Sequence, residues 1–477
     1  IFSRMIDSKK TELSRSLNSL DVIVVAFGAM IGWGWVVSSG QWISSGGVLG
    51  TVLGFLIGGL MIFFVGLTYA ELTTAMPKTG GEQNFSYAAF GPTGSFICTW
   101  ALVLSYVGVV CFEACSFPTI IQYLFPGFLQ GYLYNVAGFP VYASWLAVAI
   151  ATAAFIVYVN YIGTKRAAKL QTILTCVIGG VGILLVIASA ITGNIDNVYN
   201  NLLVGDTPSL EIKNVFKVAI MTPFFLFGFD IIPQAAEEIK VPLKRLGKIM
   251  LFSIVLAVGF YALVTVGIGN VMSKEDIVDS MAGSGLVTAD AMASAFGNSD
   301  MAKVLIFAGL CGIVTTWISF LLGGSRVLFA MAQARMIPQT FGKLHTKYKT
   351  PYISIIFLGV ISILSVFFGR VMLIWIVDAA NFACCLAYCV VAMSFWVLRK
   401  KRADLHRPYR VHNWRVVGVL AIAMSGIMAT MYLIPGTNCS LVWQEWIIVG
   451  GWTVIGILLA IRGKRLYKED FCSGMDF

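Results

Sequence analysis

Twelve runs of about 20 apolar residues divide the chain, at 17–39, 47–75, 93–124, 140–161, 170–193, 214–236, 247–272, 302–333, 351–369, 371–398, 414–435 and 444–462. Each is long enough to cross the hydrocarbon core of a bilayer, where lipid offers no partner to a free N–H or C=O, so each must be helical. The expected fold is an all-α integral membrane protein with twelve transmembrane helices. Composition excludes a soluble alternative: 58% of residues are hydrophobic, 12% are charged, and the mean hydropathy is +0.85.

The formal net charge of +10 raises the question of a nucleic-acid partner, and the placement of the basic residues answers it. With the N-terminus in the cytoplasm, 28 of the 33 Lys and Arg residues fall on inner segments. The positive-inside rule then puts a multi-pass protein in the cell membrane with both termini cytoplasmic. The charge is a topology signal with weak attraction to anionic membrane lipid, and no nucleic acid is called for. The oligomeric state is unreadable at this level. Residues 1–19 are polar and basic without a signal-peptide core, so the first span is expected to target the chain. Eight of the ten cysteines lie inside the apolar runs with no Cys-x-x-Cys pairing and read as packing residues. The three histidines, His345, His406 and His412, all lie in inner loops. No prosthetic cofactor and no enzymatic site is expected.

Two spans are interrupted: span 1 at Gly28-Ala-Met-Ile-Gly32-Trp-Gly34, and span 6 at Pro223-Phe-Phe-Leu-Phe-Gly228-Phe-Asp230. Each opens one half of the chain. Five spans per half force opposite orientations, giving a five-plus-five inverted repeat with two extra helices, the pattern of secondary transporters. The expected division is a cytoplasmic segment 1–16, a first repeat 17–193, an outer loop 194–213, a second repeat 214–399, a basic loop with spans 11 and 12 over 400–463, and a cytoplasmic tail 464–477. The outer segment 273–301 is expected to carry a re-entrant or capping helix.

Glycines at 28, 32 and 34 free backbone groups at bilayer depth, where they need a ligand, an ion or close helix packing. The positive end of the second half-helix suits a carboxylate, and exposed carbonyls of the first half suit a cation. Glu71, Glu113, Asp230 and Asp378 lie within apolar runs, where a charge is costly enough to demand a partner or a function. Glu71 and Asp230 read as structural or gating groups, with Asp230 capping the restarted helix. Asp378 reads as paired with Asn381. Glu113 has no local compensation and stands as a protonatable group or a contact to a cationic substrate. Thr315 and Thr316 offer hydroxyl oxygens that, with free carbonyls of span 1, complete an all-oxygen cage for a small hard cation.

Six segments in order, GAMIGWGW at 28–35, YAELTTAMPKTGG at 69–81, NYIGTKRAAKLQ at 160–171, GFDIIPQAAEEIKVPLKR at 228–245, GGSRVLFAMAQARMIP at 323–338 and RPYRV at 407–411, resemble motifs of the amino acid, polyamine and organocation transporter superfamily. The resemblance implies the leucine-transporter-like fold. It places carboxylate contacts on amides of Met30, Trp33 and Gly34 within a substrate site that includes Ile31 and Gly32, to which the uncompensated Glu113 is added from its own placement. Amine contacts fall on carbonyls of Phe224, Phe225 and Phe227. It assigns gating to Phe229, Asp230 and Trp35. Sodium-coupled relatives imply a sodium site at Gly28, Ile31, Gly312, Thr315 and Thr316, with Na+ as coupling ion. The chain departs from the pattern at Trp33 and Trp35, which reduce the pocket or fit it to an unusual substrate. It departs again at Gln83 and Phe85, where tyrosines are usual, and at Ile178, where sodium-independent relatives carry a lysine.

The function expected is secondary active transport, by symport or exchange, of an amino acid or related amine. The alternative is a solute sensor of the same fold that does not transport. A channel is disfavoured because two offset breaks make a closed central site rather than a continuous pore.

Overall fold

The structure, a computed structural model, describes residues 13–125, 127–435, 440–468 and 471–472. Helices α1 (Ser19–Met30) and α2 (Gly34–Ala75) flank the first interruption, followed by α3 (Glu82–Leu124), α4 (Ala143–Tyr161) and α5 (Thr164–Thr192). The short α6 (Ile195–Asn200) leads to α7 (Pro208–Leu226) and α8 (Ile231–Gln234), which flank the second interruption. Then come α9 (Leu243–Val271), α10 (Lys274–Ala282), α11 (Val287–Phe296), α12 (Asp300–Gln333), α13 (Tyr352–Val366), α14 (Met372–Lys401), α15 (Trp414–Met431) and α16 (Trp443–Tyr467).

Among the described residues, 10 helical stretches are long and apolar enough to cross a membrane, with α7 and α8 taken together. The expected runs fall on these and on the shorter apolar helices α1 and α13. The largest differences from the expected boundaries are in α2 and α3; α7 also begins at Pro208 rather than 214 and keeps Pro223 inside the helix, so the second break starts only after Leu226. α2 runs for 42 residues, about 63 Å if straight at 1.5 Å per residue, so the expected gap at 40–46 is helical. It bends at Gly47, whose φ of 77° belongs to glycine and whose Cβ, if present, would sit 2.5 Å from the Leu202 carbonyl oxygen. α3 begins at Glu82, upstream of the expected span, and bends at Gly91.

The chain is helical throughout its spans, in keeping with an all-α membrane protein, and one short hairpin lies between α3 and α4. Strands β1 (Tyr132–Val136) and β2 (Phe139–Tyr142) pair antiparallel. Their two-residue turn has positive φ at both Ala137 and Gly138, which matches the right-handed strand twist, and Gly138 N–H donates to Asn135 Oδ1 at 2.9 Å. The segment 273–301 forms α10 and α11, and α11 packs on α2, α5, α9 and α12. It is tied down by Thr288 Oγ1, which donates to the Trp35 carbonyl at 2.9 Å.

α1 lies against α5, α9 and α12, while α3 packs on α12 and α14. This arrangement surrounds both interruptions with helix. At one end of the bundle the segment before α1 is stitched to the segment after α8: Ser16 N–H and Leu17 N–H donate to the Glu238 carbonyl, and Lys240 N–H to that of Leu17. Three of the sequence motifs meet beneath that seam. Arg326, fully buried, donates from Nε to Glu238 Oε1 at 2.7 Å and from Nη2 to Thr164 Oγ1 at 2.7 Å. At the same end Glu71 pairs with Arg399 at 2.5 Å and Arg407 at 3.0 Å and accepts from Val411 N–H at 2.8 Å.

Candidate functional site

The first interruption spans Ile31 to Trp33. α1 closes where Ile31 N–H donates to the Phe27 carbonyl, and Val36 N–H donates to that of Trp33 to restart the chain as α2. The carbonyls that α1 can no longer pair are met by side chains. Thr315 Oγ1 donates to Gly28 O at 3.0 Å, Thr316 Oγ1 lies 3.4 Å from Gly28 O and 3.3 Å from Ala29 O, and Tyr261 OH donates to Met30 O at 2.6 Å. Unpaired backbone groups in a dry bundle cost several kcal/mol each, so these hydroxyls make the break tolerable.

The second interruption turns at Gly228, with φ 131°, after α7 ends at Leu226. The two breaks touch there: a Cβ on Gly228 would lie 2.6 Å from Ala29 Cβ and 3.3 Å from the Ala29 carbonyl carbon. Both the dihedral and the contact require glycine. Asp230 does not cap α8 as the sequence suggests. Its Oδ1 turns back to accept Gly228 N–H at 2.9 Å and Tyr388 OH at 3.0 Å, and Oδ2 accepts Tyr106 OH at 2.7 Å.

Between the breaks lies a cavity of about 90 Å³. Of the substrate residues named from sequence, Met30, Gly32, Trp33, Gly34, Phe224, Phe225, Phe227 and Glu113 line it, and so does Thr316. Ile31 is fully buried beside it rather than in its wall. Glu113 is 4% exposed, its Oε1 stands 3.7 Å from where a Gly32 Cβ would be, and its Oε2 has no hydrogen-bond partner. An unpaired carboxyl oxygen facing unwound backbone is the one acidic group in the wall. Aromatic rings fill the remainder: Phe225 lies on Gly34, and Phe224 stacks edge-on against Phe225 at 5.0 Å and Phe112 at 6.4 Å. The space holds a handful of waters and no bulky solute. These rings must therefore move before a larger solute enters.

The two tryptophans take different places. Trp33 turns its ring onto α12 at Gly309, where any Cβ would clash at 2.0 Å. Trp35 sits outside the cavity, fully buried and edge-on to Phe260 at 5.3 Å. Phe229 is likewise outside it, packed on Tyr69 at 5.3 Å and Tyr388 at 5.5 Å. Asp378 makes no hydrogen bond to Asn381 among the described residues.

The sodium residues named from sequence fall together in part. Thr315 Oγ1 bridges Gly28 O and, at 2.8 Å, Gly312 O, while a Cβ on Gly312 would lie 3.2 Å from Gly32 O. Ile178 presses on Gly312 from α5. Thr175 Oγ1, also from α5, is buried without a partner and would sit 2.5 Å from a Cβ on Gly28. The donor set is neutral oxygen with an orphaned hydroxyl facing it, a chemistry that suits a small hard cation.

A larger cavity of about 540 Å³ lies between α3, α14 and α16, lined by residues such as Ile97, Trp100, Leu386 and Ile457. It is apolar, and Ile97 and Ile457 are exposed on its rim, so its surroundings are lipid rather than the helix breaks.

The model of the amino acid permease family matches residues 17–459. The chain belongs to the amino acid permease family. Among the relatives of this permease, the branched-chain amino acid permease of Bacillus subtilis is 26% identical, over 97% of this chain and 96% of the relative. The methylthioribose transporter of the same organism is 24% identical over 97% and 96%, and its serine/threonine exchanger 26% over 90% and 94%. The permease is a membrane transport protein and not an enzyme. Sequence reasoning missed Tyr261, Thr175 and the cluster around Glu82. The first two come from helices that no local pattern ties to α1, and Glu82 precedes the apolar run in which buried acids were sought.

Proposed function

We propose that this permease is a secondary active transporter, a symporter or exchanger that moves an amino acid or related amine by alternating access around its two unwound helices. The observation that carries the reading is the contact of the two breaks at Gly228 and Ala29, with a cavity walled by both. Amides of Met30, Trp33 and Gly34 would meet a carboxylate, and carbonyls at Phe224, Phe225 and Phe227 together with Glu113 would meet the amine. The aromatic wall favours small or apolar side chains, in keeping with the branched-chain amino acid permease among its relatives.

Residues 17–193 and 214–399 act as two inverted repeats in a twelve-span chain with spans 11 and 12 appended, in the cell membrane with both termini cytoplasmic. The charge distribution supports this orientation. Sodium would be held by carbonyls of Gly28, Ile31 and Gly312 and hydroxyls of Thr315 and Thr316, where its charge favours the closed joint between α1 and α12.

Uptake of a panel of radiolabelled amino acids and amines into proteoliposomes, with and without a sodium or pH gradient, tests this. Saturable accumulation that a cold analogue competes supports transport. Saturable binding with no accumulation for every solute points instead to a sensor.

A further inference from the structure

Glu82, in the first turn of α3, is fully buried and lies outside the substrate cavity. Its Oε2 accepts the side-chain amide of Gln234, and its Oε1 has no hydrogen-bond partner. Gln234 sits one turn beyond Asp230, so the segment whose amide holds Glu82 begins at a second buried carboxylate, and Asp230 is in turn bonded to Tyr106 of α3, the helix that carries Glu82. The groups facing the pair are Tyr69 from α2, Cys98 and Tyr106 from α3, and Cys384 and Tyr388 from α14. All are hydroxyls or thiols, and none is a cation. Among the described residues neither acid forms an ion pair, whereas Glu71 and Glu238 at the same end each hold an arginine.

Two carboxylates that share a desolvated site without a cation cannot both be ionised, and hydrogen bonding decides which keeps the proton. Asp230 accepts three donors, from Gly228 N–H, Tyr106 and Tyr388, which stabilise its anion. Glu82 accepts one neutral amide on Oε2 and faces one further donor, the Tyr69 hydroxyl, against the three bonds made to Asp230. We infer that Glu82 and Asp230 form a proton-binding site of this permease, with the proton held on Glu82 and the charge on Asp230 when α8 is closed against α3. A proton lost from Glu82 leaves two anions across that joint, which drives α8 from α3 and so links proton release to opening at this end. The proton site rests on the transporter reading only for that last step.

Infrared difference spectroscopy on the purified full-length protein in lipid nanodiscs tests it, with no transported solute added. The expected result is a protonated-carboxyl C=O band at neutral pH that shifts in heavy water, is lost in Glu82→Gln, and persists in Glu113→Gln. Gln234→Leu should keep the band but raise its frequency, because the carboxyl loses its amide donor. A band unchanged in Glu82→Gln overturns the proposal. Where that variant does not fold, a band whose frequency is the same in Gln234→Leu overturns it. The signal needs no uptake, so its failure is separate from a failure of the transport assay.

Discussion

At Gly228 a single hydrogen atom in place of a side chain permits three things: a φ of 131°, contact with Ala29, and an amide aimed at Asp230. Gly228→Ala adds a Cβ 2.6 Å from Ala29 Cβ in a conformation L-residues avoid, and strain of this type costs about 1–3 kcal/mol. The variant is expected to melt earlier in a thermal-shift assay and to lose most uptake. Tyr261→Phe acts at the other break. It removes the donor to Met30 O and leaves a buried carbonyl bare, at about 1–3 kcal/mol. Because that carbonyl borders the cavity, uptake should weaken more than bulk stability. A drop in melting temperature with unchanged apparent KM would show that Tyr261 only props the fold. The glycines of both breaks were legible in sequence because glycine at bilayer depth has few explanations. Tyr261 was not, since it lies 231 positions from its partner on a helix with no interruption of its own. Trp33 and Trp35 were visible as departures, but their rings turn to α12 and to Phe260, directions that depend on neighbours contributed by other helices.

At the scale of elements, the motifs explain themselves by where they meet. Thr164 at the start of α5, Glu238 after α8 and Arg326 in α12 come from three of the strings that carried the family resemblance, and they form one buried network. Sequence order showed that the strings matter, and only the packing of three helices shows that they bind each other. Removing one partner strands a buried charge, typically at 3–5 kcal/mol, while replacing the pair with apolar residues is often neutral. Glu238→Gln or Arg326→Met alone should therefore cut the yield of monodisperse protein sharply, and Glu238→Leu with Arg326→Met should recover much of it. Glu71 poses the same problem with two cations. Glu71→Gln leaves Arg399 and Arg407 facing one another across the ends of α2 and α14. Burial and the neighbouring Arg399 already pull the Arg407 guanidinium below its usual range, while Glu71 opposes that shift. The variant should lower the melting temperature by more than Glu237→Gln, which changes an acid that forms no ion pair among the described residues. Equal shifts would mean that the Glu71 clamp contributes little.

Across the whole molecule, the proposed alternating access parts one end while the other closes, and the end that holds Glu238 is shut by backbone as well as by side chains. Leu17 and Ile239 form a parallel bridge that joins the segment before α1 to the segment after α8. The seam thus ties the start of α1 to the segment that follows α8, so neither half-helix can swing without breaking it. Neighbouring paired strands lie about 4.8 Å apart, inside the roughly 4.4–6.8 Å Cα range that a disulfide spans. Leu17→Cys with Ile239→Cys, in a background whose native cysteines are replaced, should therefore cross-link under mild oxidation. Uptake should fall to the level of empty liposomes and return on reduction, while solute binding from the opposite face persists. Cross-linked protein that still transports at the parent rate would show that this seam stays closed through the cycle, and that access alternates without parting α1 from α8 at Leu17.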